Sequence, residues 1–196
     1  MAVMSTVERW ACTNPVWRAF TARVVIPRVF VDHDLAGDVL ELGTGAGANA
    51  AALLERYPRV SLIATDVDPA MLDAATERLR PFGERVRVQQ ADATALPFDD
   101  GSFDAVVSLL MLHHVGDWRA ALGEIARVLR PGGSLVGYDL TRSKPAAWLH
   151  RDRRSSHDMV AADELRAGLS AAGFTDVRVT TGLVGLVGRF AARTAA

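Results

Sequence analysis

The stretch Val39-Leu40-Glu41-Leu42-Gly43-Thr44-Gly45-Ala46-Gly47 decides the fold of this chain. An apolar run ends here in a glycine turn, and an alanine-rich helix follows over residues 46–56. Glycines let the backbone approach a ligand closely, because a Cβ atom would fill the space that the ligand occupies. The pattern therefore predicts a strand, a turn and a helix N-terminus that form a ligand-binding loop.

Two acidic residues stand at comparable places further along the chain. Asp66 and Asp92 each follow a strand-like apolar run. The carboxyl ends of parallel strands meet at one edge of a sheet, which is where ligands bind in open α/β folds. A glycine loop with two acids in register predicts a site for a nucleoside-containing cofactor.

Strand-like and helical patterns alternate through most of the sequence. The helices are separated by five strand-like runs, at 38–42, 60–65, 86–90, 103–110 and 134–140. The fourth run is nearly all apolar, as expected for a strand buried on both faces. We expect an α/β fold with a Rossmann-like open sheet of five parallel βα units, preceded by an N-terminal helical segment.

The end of the chain departs from this alternation. Residues 177–181 and 183–189 are both strand-like, and only Gly182 separates them. A parallel crossover needs a dozen or more residues, so the pair is predicted to be an antiparallel hairpin that adds one reversed strand. The expected organisation is a helical lid or packing segment at 1–35 and a cofactor-binding domain at 36–196, together one domain.

Composition excludes several classes of function. The 196 residues carry 22 lysines and arginines against 23 aspartates and glutamates, which gives no electrostatic case for nucleic acid as a partner. The single cysteine, Cys12, permits no internal disulfide and fits a reducing compartment. No apolar run reaches the 18 residues of a membrane span, and we find no signal peptide. A cytoplasmic location is expected.

Two cofactor classes fit the glycine loop. The spacing Gly43-x-Gly45-x-x-Ala48 satisfies a dinucleotide pattern, and Asp66 lies close to where NAD enzymes carry a ribose-binding acid. The long helical segment before the first strand argues against NAD. The acid Glu41 before the glycines also argues against it, because a carboxylate there suits a cationic group. Asp92 stands where a contact to an adenine amino group is expected.

Six ordered motifs resemble the class I S-adenosylmethionine-dependent methyltransferases. They lie between about residues 36 and 182, in the stretches 39–47, 64–71, 90–98, 101–104, 112–115 and 129–133. The chain is most similar to the small-molecule branch that includes ubiquinone and menaquinone methyltransferases. The resemblance implies S-adenosylmethionine as the cofactor, and the terminal hairpin is also a feature of this family.

The resemblance assigns roles in cofactor binding. The backbone at Gly43, Gly45 and Gly47 would pass under the methionyl part and the ribose, although Gly47 could instead be a packing glycine. Glu41 would hold the loop or the ammonium group of the cofactor. Asp66 would accept hydrogen bonds from both ribose hydroxyls.

Four further positions complete the cofactor site that the resemblance implies. Val67 would pack on the adenine, while Asp92 would accept from its amino group beside the amide of Ala93. The backbone of Leu109 or Leu110 would contact the methionyl part.

The acceptor side is less determined by the sequence. His113 and His114 follow the fourth strand, so either is a candidate catalytic base or acceptor-positioning group, although a role in shaping the turn is favoured. Asp139, at the end of the fifth strand, is the best alternative for contacting the acceptor. No spacing of histidines predicts a metal site.

An aromatic cover is expected over the site. Trp10, Trp17, Phe20 and Phe30 lie in the N-terminal segment, and Trp148 lies in the connection 141–162. These rings predict a lid over a small, apolar or aromatic acceptor, core packing, or a homodimer contact. The expected function is methyl transfer to such an acceptor. The alternatives are an NAD(P)-dependent oxidoreductase and a non-catalytic S-adenosylmethionine-binding module.

Overall fold

A mostly parallel seven-stranded sheet organises the chain. The computed structural model describes residues 23, 26–30, 33–141, 160–182 and 187–196. The strands are β1 Gly37–Leu42, β2 Val60–Asp66, β3 Val86–Gln90, β4 Phe103–Leu109, β5 Leu129–Leu140, β6 Thr175–Gly182 and β7 Val187–Arg193. Their order across the sheet is β3-β2-β1-β4-β5-β7-β6. Strands β1 to β5 are mutually parallel, which confirms the predicted fold class.

Helices cover both faces of the sheet, as a parallel sheet requires. The helices are α1 Ile26–Val29, α2 Ala48–Arg56, α3 Pro69–Leu79, α4 Trp118–Val128 and α5 Ala162–Ala171. One core joins α1, α2 and α3 to Val39 and Val107, while the other joins α4 and α5 to Leu40 and Val106. Neighbouring residues of one strand thus point into opposite cores, each fully buried leucine or valine contributing about 1.5–3 kcal/mol.

Two aspartates fix the starts of two helices. The side chain of Asp68 accepts a hydrogen bond of 3.0 Å from the amide of Ala70, with Pro69 in the first helical position. The side chain of Asp117 accepts one of 3.0 Å from the amide of Ala120. Each cap satisfies an amide that the first turn leaves without a partner in the helix, so α3 and α4 begin at the carboxyl edge of the sheet with a defined direction.

The C-terminal hairpin confirms one expectation and corrects another. Strand β7 lies between β5 and β6 and runs antiparallel to both, which is the predicted reversed strand. The predicted turn at Gly182 is wrong, because Gly182 still belongs to β6 and pairs with Val187. The connection therefore comprises residues 183–186, and the second strand begins four residues later than expected.

The fifth strand also differs from its predicted bounds. Strand β5 begins at Leu129 rather than at residue 134, because Leu129 pairs with Phe103 ahead of an irregularity in the ladder. Gly133 lies in this irregular stretch, where a Cβ would stand 2.8 Å from the carbonyl oxygen of Arg130. The proline and glycines that end α4 are thus accommodated within the strand.

Only the end of the N-terminal segment lies within the described residues. Ile26, Val29, Phe30 and Leu35 are buried in the core beside α2. The ring of Phe30 meets that of Tyr57 edge-on, with centroids 6.1 Å apart. At Phe30 the aromatic side chain therefore has a packing role. Trp10, Trp17, Phe20 and Trp148 lie outside the described residues, so their lid or dimer role stays a prediction.

Candidate functional site

The predicted site residues meet at the carboxyl edge of the sheet. Gly43 follows β1, Asp66 ends β2, Asp92 follows β3, Leu109 ends β4 and Asp139 lies one residue before the end of β5. Because these strands are parallel and adjacent, their carboxyl ends stand side by side. The strand order reverses between β1 and β4, and this switch point is the usual ligand position in open α/β sheets.

The glycine loop adopts a backbone that other residues rarely adopt. Gly43, Gly45 and Gly47 have φ values of +69°, +53° and +76°. A Cβ on Gly43 would lie 2.4 Å from Cγ of Met111, and one on Gly47 would lie 3.1–3.3 Å from Ala75 and Leu79. At these two positions the protein itself fills the Cβ direction, so ligand space is not the reason for glycine. The packing role considered for Gly47 is present, and the backbone contact of the loop with a cofactor stays a prediction.

Glu41 is a buried acid beside the loop. It is 1% exposed, and its Oε2 accepts a hydrogen bond of 2.6 Å from the hydroxyl of Thr44. Its Oε1 is buried and has no hydrogen-bond partner among the residues that the structure describes. Burial raises the pKa of Glu41 to about 7; the hydrogen bond from Thr44 opposes this rise and the charge of Asp66 adds to it. A cationic group would satisfy Oε1 and favour the ionised acid.

Asp66 holds the glycine loop against the end of β2. Its Oδ2 accepts a hydrogen bond of 2.8 Å from the amide of Gly45. Its Oδ1 accepts from the amides of Val67 and Asp68 at 2.8 and 3.0 Å. A carboxylate offers about four lone-pair positions, and three of them are occupied here. The predicted bonds to two ribose hydroxyls would therefore require one backbone donor to leave.

Asp92 lies in a tight turn beside the turn that follows β2. Its Oδ1 accepts from the amide and the hydroxyl of Thr94 at 2.9 and 2.8 Å, and Ala93 is buried. The side chain of Gln90 donates to the carbonyl of Val67 at 3.0 Å. The structure thus brings Val67, Asp92 and Ala93 to neighbouring turns, where the adenine contacts are predicted.

Leu110 turns the chain back over the site after β4. Leu109 is buried in the sheet, whereas Leu110 takes a left-handed conformation with φ of +56°. This conformation costs a non-glycine residue about 1–2 kcal/mol. The amide of Leu110 donates to the carbonyl of Tyr138 at 2.9 Å, which holds the turn to β5. As a result Met111 lies on Gly43 and a short 3₁₀ turn, Leu112–His114, follows at the sheet edge.

His113 and Asp139 form a buried pair. Nδ1 of His113 is hydrogen-bonded to Oδ1 of Asp139, and the two residues are 8% and 5% exposed. The amide of His113 donates to Oδ2 of Asp139 at 3.3 Å, and the amide of Leu140 donates to Oδ1 at 2.7 Å. The ring of His114 is tilted against that of His113, with centroids 3.9 Å apart. The three acceptor-side residues predicted from the sequence are therefore in one cluster.

Two residues of the site were missed in the sequence. The hydroxyl of Thr44 donates a hydrogen bond to the buried acid Glu41. A hydroxyl side chain three residues after the acid is the sequence signal that could have revealed this contact. Met111 covers Gly43, which no local pattern indicates because the contact depends on the left-handed turn at Leu110.

The described residues hold neither a cluster of metal ligands nor a membrane-spanning helix. They contain no group of three or more histidine, cysteine, aspartate or glutamate side chains placed to hold a metal ion. No helix in this part of the chain combines the length and the apolar composition needed to cross a bilayer.

Comparison with known sequences relates the chain to methyltransferases. A family described as "Methyltransferase domain" matches residues 40–137. The demethylmenaquinone methyltransferase of Clavibacter sepedonicus is 34% identical over 202 residues, covering 88% of this chain and 78% of that protein. The enzyme of the same name from Thermus thermophilus is 45% identical over 98 residues, which are 50% of this chain and 44% of that protein. The chain thus spans less than half the length of the second relative.

Solved structures share the fold. A chain from the complex between the Haloferax volcanii Trm112 methyltransferase activator and a methyltransferase superposes with a TM-score of 0.78 at 18% identity, covering 100% of both chains. Haemonchus contortus phosphoethanolamine N-methyltransferase 2, solved with S-adenosyl-L-methionine, gives a TM-score of 0.75 at 18% identity over 90% of this chain and 52% of that one. Identities this low establish the architecture of the sheet, and the chemistry has to be argued from the residues.

Proposed function

The chain belongs to the class I S-adenosylmethionine-dependent methyltransferases, and we propose that its acceptor is a small, apolar or aromatic molecule of the quinol type. The observation that carries this proposal is the similarity to a demethylmenaquinone methyltransferase over 88% of the chain. Methyl acceptors in this family vary, and the assignment of the acceptor rests on that relationship.

The residues at the carboxyl edge fit the cofactor. The buried Oε1 of Glu41, which lacks a partner in the described structure, matches the ammonium group of the methionyl part. Asp66 and Asp92 present carboxylates at the ends of neighbouring strands, as ribose and adenine recognition would require. When bound, S-adenosylmethionine supplies an electrophilic methyl group on a sulfonium, and transfer of that group leaves the thioether S-adenosylhomocysteine.

The protein contributes position and a dry site to this reaction. The glycine loop, held by Asp66 and covered by Met111, would support the cofactor at the switch point between β1 and β4. In-line placement of the acceptor is the main requirement, because a sulfonium needs little further activation. His113, His114 and Asp139 stand at the ends of β4 and β5, where we place the acceptor.

Calorimetry and product detection test the proposal. We expect the full chain to bind S-adenosylmethionine and S-adenosylhomocysteine and to ignore NAD and NADP, the cofactors of the oxidoreductase alternative. Turnover of a naphthoquinol but not of hydrophilic amines supports the acceptor class. Binding without turnover of any acceptor would instead identify a non-catalytic module.

The remaining expectations concern location and partners. A cytoplasmic location rests on the single cysteine. The absence of a nucleic-acid partner rests on the balance of charge, and a possible homodimer rests on the aromatic residues of the N-terminal segment. Size-exclusion chromatography with light scattering at two concentrations tests the dimer.

A further inference from the structure

The buried pair formed by His113 and Asp139 has a geometry that a turn-shaping role does not require. The pair joins two different elements, the 3₁₀ turn after β4 and the end of β5, across 26 residues of sequence. Asp139 receives three hydrogen bonds, from the ring and the amide of His113 and from the amide of Leu140. Its carboxylate is therefore fixed in position before any ligand arrives.

We propose that His113 removes a proton from a hydroxyl group of the methyl acceptor and that Asp139 positions its imidazole. The inference rests on the proposed function and deepens it, because it names the acceptor as a molecule with an ionisable hydroxyl. Phenols, hydroquinones and enols are of this class.

The contact with Asp139 determines which ring nitrogen can act. When the neutral imidazole donates its Nδ1 proton to the carboxylate, Nε2 carries the lone pair and is the basic atom. A carboxylate beside the ring also stabilises the positive charge that appears when Nε2 takes a proton. Asp139 is thus a positioning residue, and His113 is the catalytic residue.

Among the described residues, two ionisable groups have recorded contacts with the imidazole. The carboxylate of Asp139 faces it from β5, and the ring of His114 lies against it from the same short turn. The other acids of this edge, Glu41, Asp66 and Asp92, lie on or directly after β1, β2 and β3. The carboxylate of Asp139 is therefore the charged group that the structure records in a hydrogen bond with the ring of His113.

The chemistry of the acceptor decides whether such a base is needed. A carboxylate arrives ionised at neutral pH and needs no base, whereas a phenol is mostly neutral there. With a hydroxyl acceptor, the proton passes to Nε2, the new bond joins the oxygen to the methyl carbon, and the electron pair of the broken bond stays on sulfur. With transfer to a ring carbon, the hydrogen on that carbon moves to the oxygen afterwards, so one proton is again released to solvent through His113.

The test uses the full chain in complex with S-adenosylhomocysteine and 4-nitrophenol as the probe. The ionised form of this phenol absorbs visible light, so its state in the site can be measured without turnover. At a pH where the free probe is mostly neutral, we expect the parent complex to bind it in the ionised form. His113→Asn keeps a donor near the position of Nδ1 but lacks Nε2, and it should bind the probe in the neutral form.

Turnover of substituted phenols gives the second measurement. We expect His113→Asn to lower the rate about 100-fold, the lower range for a general base. Raising the pH, or using a more acidic phenol, should restore its rate, because the acceptor then ionises without help. Asp139→Asn should reproduce both effects in part, whereas His33→Asn, a substitution before β1 at the other edge of the sheet, should resemble the parent.

The outcomes test two claims separately: the methyltransferase function, and the role of His113 as the base for a hydroxyl acceptor. If the parent does not bind S-adenosylhomocysteine, the proposed function fails, and this inference fails with it. If it binds the cofactor product but neither binds nor ionises a phenol, or methylates benzoate alone, the hydroxyl acceptor is wrong while the methyltransferase stands. If His113→Asn binds S-adenosylhomocysteine and ionises the probe like the parent, His113 is not the base. If the variant fails to fold, Asp139→Asn in the same two assays decides by the same criteria.

Discussion

The amide of Gly45 donates a hydrogen bond of 2.8 Å to Oδ2 of Asp66, which lies 21 residues further along the chain. This bond ties the centre of the glycine loop to the end of the neighbouring strand. The acid predicted to bind a ribose therefore also supports the loop on which the cofactor would lie.

Asp66→Ala is expected to impair both the stability and the ligand binding of the protein. Three backbone amides lose their acceptor, so the free energy of unfolding should fall by about 1–3 kcal/mol. Binding of S-adenosylhomocysteine should weaken by about 2–4 kcal/mol, the scale for lost charge-assisted hydrogen bonds. Urea unfolding and calorimetry measure the two effects. Asp73→Ala, at an exposed position on α3, is the control; a variant of Asp66 that matches this control would reduce the residue to a turn acid.

Glu41 should make the stability of the free protein depend on pH. Its pKa is about 7 in the folded protein and 4.5 as a reference, so the folded state holds the proton more tightly. Below pH 4.5 the proton on Glu41 contributes about 3 kcal/mol to the free energy of unfolding. This contribution is lost as the pH rises to about 7. Urea unfolding between pH 4.5 and 8 should show this decline in the parent but not in Glu41→Gln. Glu55→Gln, on the exposed side of α2, should keep the decline.

Ligand binding should reverse the protonation of Glu41. If the ammonium of the ligand pairs with Oε1, binding of S-adenosylhomocysteine at pH 6 should release up to about one proton, because the ionised acid becomes the favoured form. Calorimetry in two buffers with different ionisation enthalpies measures this release. A parent protein that releases no more protons than Glu41→Gln would place the ammonium elsewhere.

Gly43→Ala should destabilise the protein more than its backbone angle alone explains. The new methyl group would meet Cγ of Met111 at 2.4 Å, which adds about 1–3 kcal/mol of overpacking to about 1–2 kcal/mol of backbone strain. Gly132→Ala is the matched control, since its φ of +73° is similar and nothing lies within 4 Å of its Cβ position. Equal losses for the two variants in thermal unfolding would show that Met111 moves away without cost.

Phe190→Ala tests the inserted position of β7. The phenyl ring is buried and lies where Gly137 leaves space on β5, with a Cβ position 2.5 Å from the ring. We expect a loss of about 3–5 kcal/mol, as for other buried phenylalanines. Arg178→Ala, exposed on β6, should change stability by less than 1 kcal/mol. A small effect at Phe190, measured by urea unfolding, would contradict the strand order.

The sequence predicts the elements whose signals are local. Strand β3, for example, has the predicted bounds of residues 86–90. The hairpin turn was misplaced because residues 183–187 are almost entirely apolar, so the pattern of a strand continues through them. Pairing of Gly182 with Val187 overrides that pattern, since register is set by the neighbouring strands.

The site shows the same division between local and tertiary information. The glycines and the acids after the strands can be found from the sequence, because each stands next to a strand end. The pairing of His113 with Asp139 cannot, since 26 residues and a helix separate them and only the parallel alignment of β4 and β5 brings them together. The local pattern therefore favoured a turn role for His113, whereas the structure gives it a carboxylate partner.

The left-handed turn at Leu110 has a consequence for how this enzyme can diversify. Within four residues of this turn, Met111 packs against Gly43 of the glycine loop and His113 is hydrogen-bonded to Asp139 on β5. Insertion or deletion of a single residue within residues 110–114 would displace both contacts at once. Changes in chain length are therefore expected in segments outside residues 110–114.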